Sequence, residues 1–386
     1  MPRRGPLSLF RAPFLPLVLA LAAGSCARTA AVESPAPRAP TPVPIERDRV
    51  SLGAVYPGET WTPVPSAEGT GFSTEALDAL HEYVATLNTT AVMAVVDGRV
   101  LFQHGDLDSL SYLASVRKSI LAMLYGPYVE DGTIDLDRSL EDLGMDDVEG
   151  LLPVERRATV RDLIAARSGI YHPASNPGDD SADAPERGSQ EPGAYYLYNN
   201  WDFNAAGAAF ELTTGHDIYD ALQSDLAEPL SFEDFDRARQ RKSGDAERSR
   251  NLAYHMWLST RDMARIGLLM LRDGRWRGEQ VIPGDWARQI HALVTPLEEM
   301  NPPALREQDF GYGYMWWVWD GPDAIGAFEG AYTARGAYGQ YITVMPALGL
   351  VVTHKTAVPP EKQTGWDDYM GILTRLVEAY CGTSCD

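Results

Sequence analysis

Lysine is nearly absent from this chain. Among its 33 lysine and arginine residues, the only lysines are Lys118, Lys242, Lys355 and Lys362. Arginine stays protonated at any physiological pH, whereas a lysine amine that is removed from water can lose its proton and act as a base. The scarcity therefore excludes lysine as a general source of surface charge, and it draws attention to Lys118, which follows a serine by three positions.

Cysteine and histidine are scarce as well. The 3 cysteines and 7 histidines are scattered and show no spacing of the zinc-ligand type. We therefore expect neither a metal ion nor another cofactor. Cys381 and Cys385 are close enough in sequence to close a small C-terminal loop, and we expect them to form a disulfide in an oxidising compartment.

Positive charge is in short supply. The formal net charge is −21 over 386 residues, which keeps a protein soluble but does not provide the basic face that nucleic acids need. A nucleic-acid partner is therefore excluded. The hydrophobic fraction of 45% and the charged fraction of 23% are ordinary for a globular protein. The length suits one large domain or two interleaved ones.

The apolar run near the N-terminus is too short to span a bilayer comfortably. It covers residues 14–23, whereas a membrane helix needs about 20 apolar residues. The run follows Arg3, Arg4 and Arg11 and ends in small residues, which is typical of an export signal. We therefore predict a signal peptide over residues 1–25.

Cys26 directly follows this predicted signal. The stretch Ala23-Gly24-Ser25-Cys26 resembles a relaxed bacterial lipobox, in which the cysteine becomes the lipidated first residue of the mature protein. Ordinary cleavage near Ala23 or Ala27, with an incidental cysteine, is the alternative. Residues 27–45 are rich in Ala, Pro, Thr and Arg without apolar periodicity. We predict a lipid anchor, a flexible linker over residues 26–60, and a location in the bacterial periplasm or cell envelope.

The periodicity of the apolar residues predicts sheet elements at both ends of the chain and helices between them. The predicted elements are a helix at 69–88 capped by Thr74, a hairpin of 91–96 and 99–104, a buried helix from Ser115 to Gly126-Pro127, a helix opened by Thr159 and Asp162 in a capping box, a long loop at 172–193, a helix at 258–272 capped by Ser259 or Thr260, strands at 312–319, 340–345 and 350–354, and a helix at 366–379. The long loop is expected to border an active site.

This order of elements predicts an α/β chain of the α+β kind. Residues 61–126 plus 291–386 are expected to form an α/β domain, and residues 127–290 a mostly helical domain.

The tetrapeptide Ser115-Val116-Arg117-Lys118 carries the first chemical signal. A neutral serine is a poor nucleophile and needs a nearby base. On a helix, Ser115 and Lys118 share one face, so a buried Lys118 can supply that base. A helix N-terminus at Ser115 would also stabilise negative charge there. A surface serine beside an exposed lysine is the alternative that this motif leaves open.

Tyr198-Asn199-Asn200 provides a second signal. Together, the two motifs resemble the serine β-lactamase and penicillin-binding-protein superfamily, and specifically its class C and esterase branch, which includes 6-aminohexanoate-oligomer hydrolases. Further stretches that resemble the family follow in the right order at residues 159–170, 258–265 and 336–346. The resemblance implies a β-lactamase-like fold, with an antiparallel sheet flanked by helices and a mostly helical insert domain.

The resemblance also implies a role for each matching residue. Ser115 is the acyl-accepting nucleophile, and Lys118 is its proton acceptor or electrostatic partner. Tyr198 shuttles a proton to the leaving group and later activates water, and Asn200 binds Lys118 or the substrate. Which of Lys118 and Tyr198 is the general base stays open, because coupled groups titrate together. One oxyanion donor is the backbone N–H of Ser115, and alignment puts the other near Ala334.

The chain departs from this family at the third motif. Penicillin-recognising members carry Lys-Thr-Gly or His-x-Gly there to bind a substrate carboxylate, whereas this chain has Ala331-Tyr332-Thr333-Ala334-Arg335-Gly336. Arg335 is the candidate replacement for the missing cation, with a solvated surface arginine as the alternative. Lys355-Thr356-Ala357 is rejected as the motif because it follows the next strand. Tyr171 is a further candidate for the pocket, with a loop anchor as the alternative.

These observations favour an exported serine hydrolase that cleaves a small-molecule ester, amide or peptide-like substrate through an acyl-enzyme on Ser115. The altered third motif makes a β-lactamase or a D-alanyl-D-alanine carboxypeptidase the second choice. A catalytically silent binding relative is the alternative of another class. The intact Ser115, Lys118 and Tyr198 argue against silence.

Overall fold

An antiparallel sheet of seven strands lies at the centre of the computed structural model. The structure describes residues 50, 52–357 and 363–382. The predicted signal peptide, Cys26 and Cys385 lie outside these residues. Cys381 is disulfide-bonded, and its pairing with Cys385 stays a prediction.

The strands come from two separate stretches of the chain. They are β1 (Ala91–Val96), β2 (Arg99–Gly105), β3 (Ser111–Tyr112), β4 (Arg241–Ser243), β5 (Ala253–His255), β6 (Trp257–Leu258), β7 (Arg275–Trp276), β8 (Glu279–Gln280), β9 (Phe310–Tyr312), β10 (Trp317–Trp319), β11 (Tyr332–Gly336), β12 (Gln340–Met345) and β13 (Leu350–Lys355). The large sheet has the order β2-β1-β13-β12-β11-β10-β9, and β3-β6, β4-β5 and β7-β8 form small ribbons. Strands from both ends of the described chain therefore share one sheet, as the sequence predicts.

Strands β1 and β2 form a hairpin at one edge of the large sheet. Asp97 and Gly98 both have positive φ, 49° and 87°, as a two-residue hairpin turn requires. On its other side, β1 pairs antiparallel with β13, with Val95 opposite Val351. The predicted hairpin is confirmed.

Helices cover both faces of the large sheet. They are α1 (Thr74–Ala85), α2 (Val116–Glu130), α3 (Val160–Ile164), α4 (Asn200–Thr214), α5 (Ile218–Ala221), α6 (Glu228–Leu230), α7 (Thr260–Leu271), α8 (Gly284–Ile290) and α9 (Trp366–Ala379). Helix α7 packs on β1, β12 and β13, and α9 packs with α1 on the opposite face, where Tyr369 stacks on Tyr341 at 4.3 Å. Every residue of β1, β12 and β13 is consequently buried, including the polar Thr343, Thr353 and His354.

Helix α2 connects the sheet to the helical region. Its first eleven residues are buried, and it contacts β11, α4 and α8. The Tyr125 hydroxyl donates to the carbonyl of Ala206 at 2.7 Å, and Trp286 Nε1 donates to the carbonyl of Ala122 at 2.8 Å. These bonds hold the middle of α2 against α4 and α8, and its contact with β11 joins it to the sheet.

Two predicted boundaries of helices are wrong. Ser73, not Thr74, caps α1, because Ser73 is extended and its hydroxyl accepts the N–H of Ala76 at 3.3 Å. Helix α2 does not stop at Gly126-Pro127 but continues to Glu130. A Cβ on Gly126 would lie 2.7 Å from Trp286 Cδ1, so this glycine serves a close helix contact. Burial of the first eleven residues of the helix outweighs the hydrogen bond that Pro127 removes. The predicted capping box of Thr159 and Asp162 is confirmed.

The predicted strand at 312–319 is two strands. A turn that contains Met315, with φ of 61°, separates β9 from β10. The two strands pair antiparallel, with Trp317 opposite Tyr312. Aromatic residues in both strands and in the turn hide this break from a reading of hydrophobicity alone.

The N-terminal end of the described chain is bound to the rest of the fold. Val55 donates its N–H to the carbonyl of Asp97 at 3.0 Å, and Arg272 Nη2 donates to the carbonyl of Val55 at 2.7 Å. Val55, within the predicted flexible linker over residues 26–60, is therefore bound to the fold, and the linker stays a prediction. Its earlier part lies outside the described residues, apart from residues 50 and 52–54. The division into two domains stays a prediction. Within the described part of the chain, the helices are all too short or too polar to cross a membrane.

Candidate active site

Ser115 occupies the N-terminal end of α2. It is the N-cap residue, with φ of −78° and ψ of −7°, and Val116 begins the helix. The preceding Ala114 has φ of 48°, in the left-handed region. This backbone conformation costs a non-glycine residue about 1 kcal/mol of conformational free energy. The first N–H groups of a helix lack intrahelical acceptors and carry partial positive charge. Ser115 is therefore placed where a developing anion is stabilised.

Lys118 lies one helical turn further on and is only 1% exposed. Its amine donates one hydrogen bond to the Tyr198 hydroxyl and one to Asn200 Oδ1, each at 2.7 Å. It also lies 4.1 Å from the ring centre of Tyr198 and 4.2 Å from that of Phe203. This burial excludes the alternative of an exposed lysine. The structure thus brings together Lys118, Tyr198 and Asn200.

The environment shifts the pKa values of Lys118 and Tyr198 in opposite directions. Burial, and next the positive charge of Arg117, lower the pKa of Lys118 well below its usual value, against the opposing effect of Asp179 and Asp180. Burial raises the pKa of Tyr198 well above its usual value, and a hydrogen bond with Ser115 acts in the other direction. Both shifts act in favour of the neutral forms of the amine and the phenol.

Hydrogen bonds fix the segment that carries Tyr198. Asn199 caps α4, because its Oδ1 accepts the N–H of Trp201 at 2.9 Å. The Nδ2 group of Asn199 donates to the carbonyl of Ile170 at 2.6 Å. The segment is thus held both to its own helix and to the loop after α3.

Asn200 is oriented by the loop that precedes α4. Its backbone N–H donates to Asp179 Oδ2 at 2.8 Å, and its Nδ2 donates to the carbonyl of Pro177 at 3.0 Å. Since the amide nitrogen is engaged in this way, the amide oxygen points at Lys118. Asn200 therefore binds Lys118, which is one of the two roles that the sequence suggests.

The buried carboxyl group of Asp202, in the first turn of α4, binds the loop after α3. Ser168 Oγ donates to Asp202 Oδ1 at 2.6 Å. Burial raises the pKa of Asp202 well above its usual value. This contact joins the Ser168-Gly169-Ile170 stretch to the first turn of α4.

A cavity of about 370 Å³ lies over Ser115 and Tyr198. Its walls come from the N-terminus of α2, the loop before α4, the segment before β9, and strands β10 to β12. The lining residues are Ser115, Gly178, Asp179, Asp180, Tyr198, Leu305, Gln308, Trp317, Arg335, Gly336, Ala337 and Tyr341. The loop at 172–193 therefore borders the cavity, as the sequence predicts.

Strand β11 lies close to Ser115 at Gly336. A Cβ on Gly336 would lie 2.5 Å from the carbonyl oxygen of Leu113 and 3.1 Å from the backbone nitrogen of Ser115. Neither atom can move away easily, because both belong to the backbone that leads into α2. Only glycine allows the strand to come so close to the candidate nucleophile.

The structure does not bring Ala334, near which the second oxyanion donor is predicted, to the cavity. Ala334 is fully buried, pairs with Ile342 within the sheet, and is not among the residues that line the cavity. Gly336 and Ala337 line it instead.

Arg335 lines the cavity with its side chain among aromatic rings. The ring centres of Phe310, Trp317 and Trp366 lie 4.9, 4.7 and 4.2 Å from its guanidinium carbon. Its Nη1 donates to Gln308 Oε1 at 3.2 Å. Burial lowers the pKa of Arg335 to about 10, which still leaves it protonated at neutral pH. The alternative of a solvated surface arginine is therefore excluded.

Several other candidates lie elsewhere. Tyr171 does not line the cavity. The neighbouring His172 is buried and bonds through Nε2 to the carbonyl of Val148 at 2.8 Å, as a loop anchor does. Lys355 is buried and donates to the carbonyls of Ser111 and Leu258, outside the cavity lining. Of the tryptophans in and beside β10, Trp317 lines the cavity.

Sequence reasoning did not single out some of the lining residues. Asp179 and Asp180 lie in the long loop at 172–193, the border loop, but the sequence does not link their acidic side chains to a substrate. Gln308 and Leu305 come from the segment before β9 and carry no motif. The described residues also contain no group of three or more His, Cys, Asp or Glu side chains that could hold a metal ion.

Comparison with known proteins places this arrangement in context. A family model described as Beta-lactamase matches residues 78–370. Among curated proteins, the uncharacterised protein BpOF4_21049 of Alkalihalophilus pseudofirmus is 22% identical over 63% of this chain and 72% of its own length.

Solved structures share the fold at low sequence identity. A Bacillus anthracis protein provisionally named as a 6-aminohexanoate-dimer hydrolase is 17% identical, with a TM-score of 0.58, over 86% of this chain and 88% of that one. EstCE1, a hydrolase with promiscuous acyltransferase activity, is 15% identical, with a TM-score of 0.58 and shares of 78% and 97%. A penicillin-binding protein homologue from Caulobacter crescentus is 16% identical, with a TM-score of 0.57 and shares of 80% and 98%. At these identities the likeness shows the fold alone.

Proposed function

Because this chain belongs to the Beta-lactamase family, we propose that it is a serine hydrolase that cleaves an ester or amide bond through an acyl-enzyme on Ser115. One observation carries the proposal. The buried amine of Lys118 is hydrogen-bonded to Tyr198 and Asn200 at 2.7 Å, beneath a cavity that Ser115 and Tyr198 line. A nucleophile, a base and a proton carrier thus adjoin one substrate-sized space.

Neutral Lys118 is the proposed general base for acylation. A neutral amine has two N–H groups and one lone pair. Tyr198 and Asn200 accept from the two N–H groups, which leaves the lone pair for the proton of Ser115 Oγ. As Oγ bonds to the carbonyl carbon, its proton moves to Lys118 and the carbonyl electron pair moves onto oxygen. A tetrahedral oxyanion results.

Tyr198 is the proposed proton carrier to the leaving group. When the tetrahedral intermediate collapses, the bond from carbon to the leaving oxygen or nitrogen breaks, and the leaving atom takes the hydroxyl proton of Tyr198. Lys118 replaces that proton, so both side chains return to their neutral forms. Water then attacks the acyl carbon and gives a proton to the same pair, which returns it to Ser115 as the carboxylic acid departs.

Two backbone N–H groups are the proposed oxyanion donors. One belongs to Ser115, at the helix N-terminus. The other is assigned to Ala337, which lines the cavity directly after Gly336. The close approach that Gly336 permits supports this pairing, since both donors must lie about 3 Å from the same oxygen.

Arg335 is the proposed contact for an anionic group of the substrate. A guanidinium that is partly buried among aromatic rings keeps its charge and is weakly hydrated, which favours a carboxylate. A β-lactam or a D-peptide carries such a carboxylate, so this observation supports the second candidate function, a β-lactamase or a carboxypeptidase. The ester or amide reading stays first because Arg335 is not the lysine or histidine of the penicillin-recognising motif.

Labelling with a fluorophosphonate tests the nucleophile. We expect the wild type to be labelled and Ser115→Ala to remain unlabelled. Ser119→Ala is the matched control, because Ser119 lies one turn along the same buried helix and donates to the carbonyl of Met315 at 2.6 Å. We expect Ser119→Ala to be labelled. A wild type that takes no label contradicts the proposal.

Substrate class is tested by parallel assays on a short acyl ester, a linear amide and a chromogenic cephalosporin. We expect turnover of the ester or the amide and little turnover of the cephalosporin. Fast hydrolysis of the cephalosporin would reverse the order of the two candidate functions.

Export and lipid anchoring belong to the same proposal. The basic residues, the short apolar run and the lipobox-like Ala23-Gly24-Ser25-Cys26 support them. An enzyme anchored in this way acts on small molecules in the bacterial cell envelope.

A further inference from the structure

Arg117 is a buried arginine within the motif Ser115-Val116-Arg117-Lys118. It is only 2% exposed. Its Nη2 donates to Asn204 Oδ1 at 3.0 Å, and its guanidinium lies 4.2 Å from the ring centre of Tyr254. Its Nη1 is buried without a hydrogen-bond partner. A guanidinium cannot discharge itself by releasing a proton, so this positive charge is permanent.

The charge of Arg117 has no counter-ion in the described part of the chain. Its hydrogen-bond acceptor Asn204 is a neutral amide. Besides Lys118 and Tyr198, its charge acts on Tyr112, Tyr219, Tyr254 and His255. Burial keeps the tyrosines protonated and lowers the pKa of His255 to about 4, so all four are neutral at pH 7. An unpaired buried charge is costly, and it persists only where the fold holds it in place.

We propose that Arg117 is a positioning residue that acts through Lys118: its fixed positive charge keeps the neighbouring amine neutral and therefore able to accept the proton of Ser115. Both side chains reach α4, where Lys118 donates to Asn200 and Arg117 donates to Asn204, one turn further along the same helix face. Two like buried charges placed in this way repel, and only the lysine can lose its proton. The motif thus contains its own means of activating its base.

Other groups around Lys118 act in the opposite direction. Asp179 and Asp180 face it from the border loop and favour its charged form. The rings of Tyr198 and Phe203, at 4.1 and 4.2 Å, also favour a cation. Burial and Arg117 must outweigh these four contributions for the amine to be neutral. Without Arg117, burial alone would oppose them.

The inference rests on the proposed function, and the pH dependence of labelling tests it. The rate of fluorophosphonate labelling should rise with pH as the Lys118–Tyr198 pair becomes able to accept a proton. Arg117→Gln removes the charge and keeps a donor for Asn204. We expect its rising limb to move up by about one pH unit, so that labelling is slow at pH 7 and recovers at higher pH.

Two matched variants separate charge from structure. Asn204→Ala keeps the charge of Arg117 and removes its hydrogen-bond acceptor, and we expect its rising limb to stay at the wild-type pH. Arg117→Lys restores a cation, and we expect its limb to lie between those of the wild type and Arg117→Gln. If Asn204→Ala moves the limb as far as Arg117→Gln does, or if Arg117→Gln lowers the rate equally at every pH, the inference is wrong.

Titration of Lys118 provides a readout that does not depend on turnover. Because the chain has only the lysines 118, 242, 355 and 362, NMR of protein labelled with ¹³C-lysine gives few signals, and Lys118→Met assigns the one of interest. We expect the titration midpoint of Lys118 to rise in Arg117→Gln. An unchanged midpoint overturns the inference. Arg117→Met replaces Arg117→Gln if the latter does not fold.

The outcomes distinguish the two proposals. A wild type without label at any pH contradicts the proposed function, and the NMR midpoint still decides the role of Arg117. A labelled wild type whose pH dependence and lysine midpoint are unaffected by Arg117→Gln contradicts only the inference about Arg117.

Discussion

Lys118 shows at the scale of a single residue why lysine and arginine are not equivalent in this protein. Its amine is buried, and both of its N–H groups have acceptors when it is neutral. An arginine at the same place could not become neutral and would hold a permanent charge beside that of Arg117. The motif therefore needs arginine at one position and lysine at the next.

The first prediction concerns this difference. Lys118→Arg should reduce kcat/KM for a short acyl ester by about 10²- to 10⁴-fold, because it removes the general base and keeps a cation. Lys242→Arg is the control, since Lys242 forms a surface ion pair with Glu211, and its kcat/KM should stay close to that of the wild type. Full activity of Lys118→Arg would exclude Lys118 as the base.

Asp180 gives a second prediction, about stability. Burial, and next the charges of Asp179 and Asp183, raise the pKa of Asp180 to about 6. The folded state therefore holds a proton that the unfolded state has released, and stability falls as pH rises from about 4 to about 6. Asp180→Asn should remove this effect.

The free energy of unfolding in urea measures it. Asp180→Asn should be more stable than the wild type above pH 6, by on the order of 1 kcal/mol since the side chain is partly exposed. At pH 4 and below, the difference should vanish. A difference that does not depend on pH would show that Asp180 is ionised in the folded protein as it is in the unfolded one.

At the scale of elements, the contact between β11 and the start of α2 connects the sheet to the nucleophile. Gly336 is the only glycine of β11, and a Cβ there would meet the backbone of both Leu113 and Ser115. The strand can carry an oxyanion donor only if this contact stays close. The geometry of the site therefore depends on having a glycine, without a side chain, at position 336.

Gly336→Ala tests this dependence. The added methyl should push β11 away from Ser115, destabilise the protein by about 1 to 3 kcal/mol, and slow fluorophosphonate labelling at temperatures where the variant remains folded. Thermal unfolding and the labelling rate measure the two effects. Gly365→Ala is the control, because a Cβ there would meet no atom within 4 Å. Wild-type labelling of Gly336→Ala would refute the role of this contact.

Elements with strong local signals were predictable from the sequence. The Asp97-Gly98 hairpin and the capping box of Thr159 were predictable because a few adjacent residues determine each of them. The passage of α2 through Pro127 was not, since packing against Trp286 decides it. The turn at Met315 was hidden among aromatic residues.

The same distinction applies to the site. Ser115, Lys118, Tyr198 and Asn200 belong to two short motifs, and their meeting follows from the family resemblance. The burial of Ala334 within the sheet, away from the cavity, depends on its pairing with Ile342 across strands, which the sequence does not show. The cavity walls contributed by Gln308 and Leu305 carry no sequence signal, because their position depends on the path of an irregular segment.

At the scale of the whole molecule, the fold brings distant parts of the chain to one cavity. The N-terminus of α2, the loop before α4, and strands from the C-terminal third all contribute to its lining. Helices cover both faces of the sheet, so the strands are rigid supports.

The fourth prediction concerns the anchor. In a bacterial host, the full chain should appear in the membrane fraction and incorporate labelled fatty acid. Cys26→Ala should abolish the incorporation, because it removes the sulfur that carries the lipid. Cys385→Ala is the control and should still be labelled. Equal labelling of Cys26→Ala and the wild type would contradict the lipid anchor.

The central claim is that Ser115 forms an acyl-enzyme, and intact mass spectrometry of the protein mixed rapidly with an activated acyl ester tests it most directly. We predict a mass increase equal to one acyl group, located by proteolysis on the peptide that contains Ser115, and absent from Ser115→Ala. Turnover of the ester without acylation at Ser115, or acylation that persists in Ser115→Ala, would contradict the account.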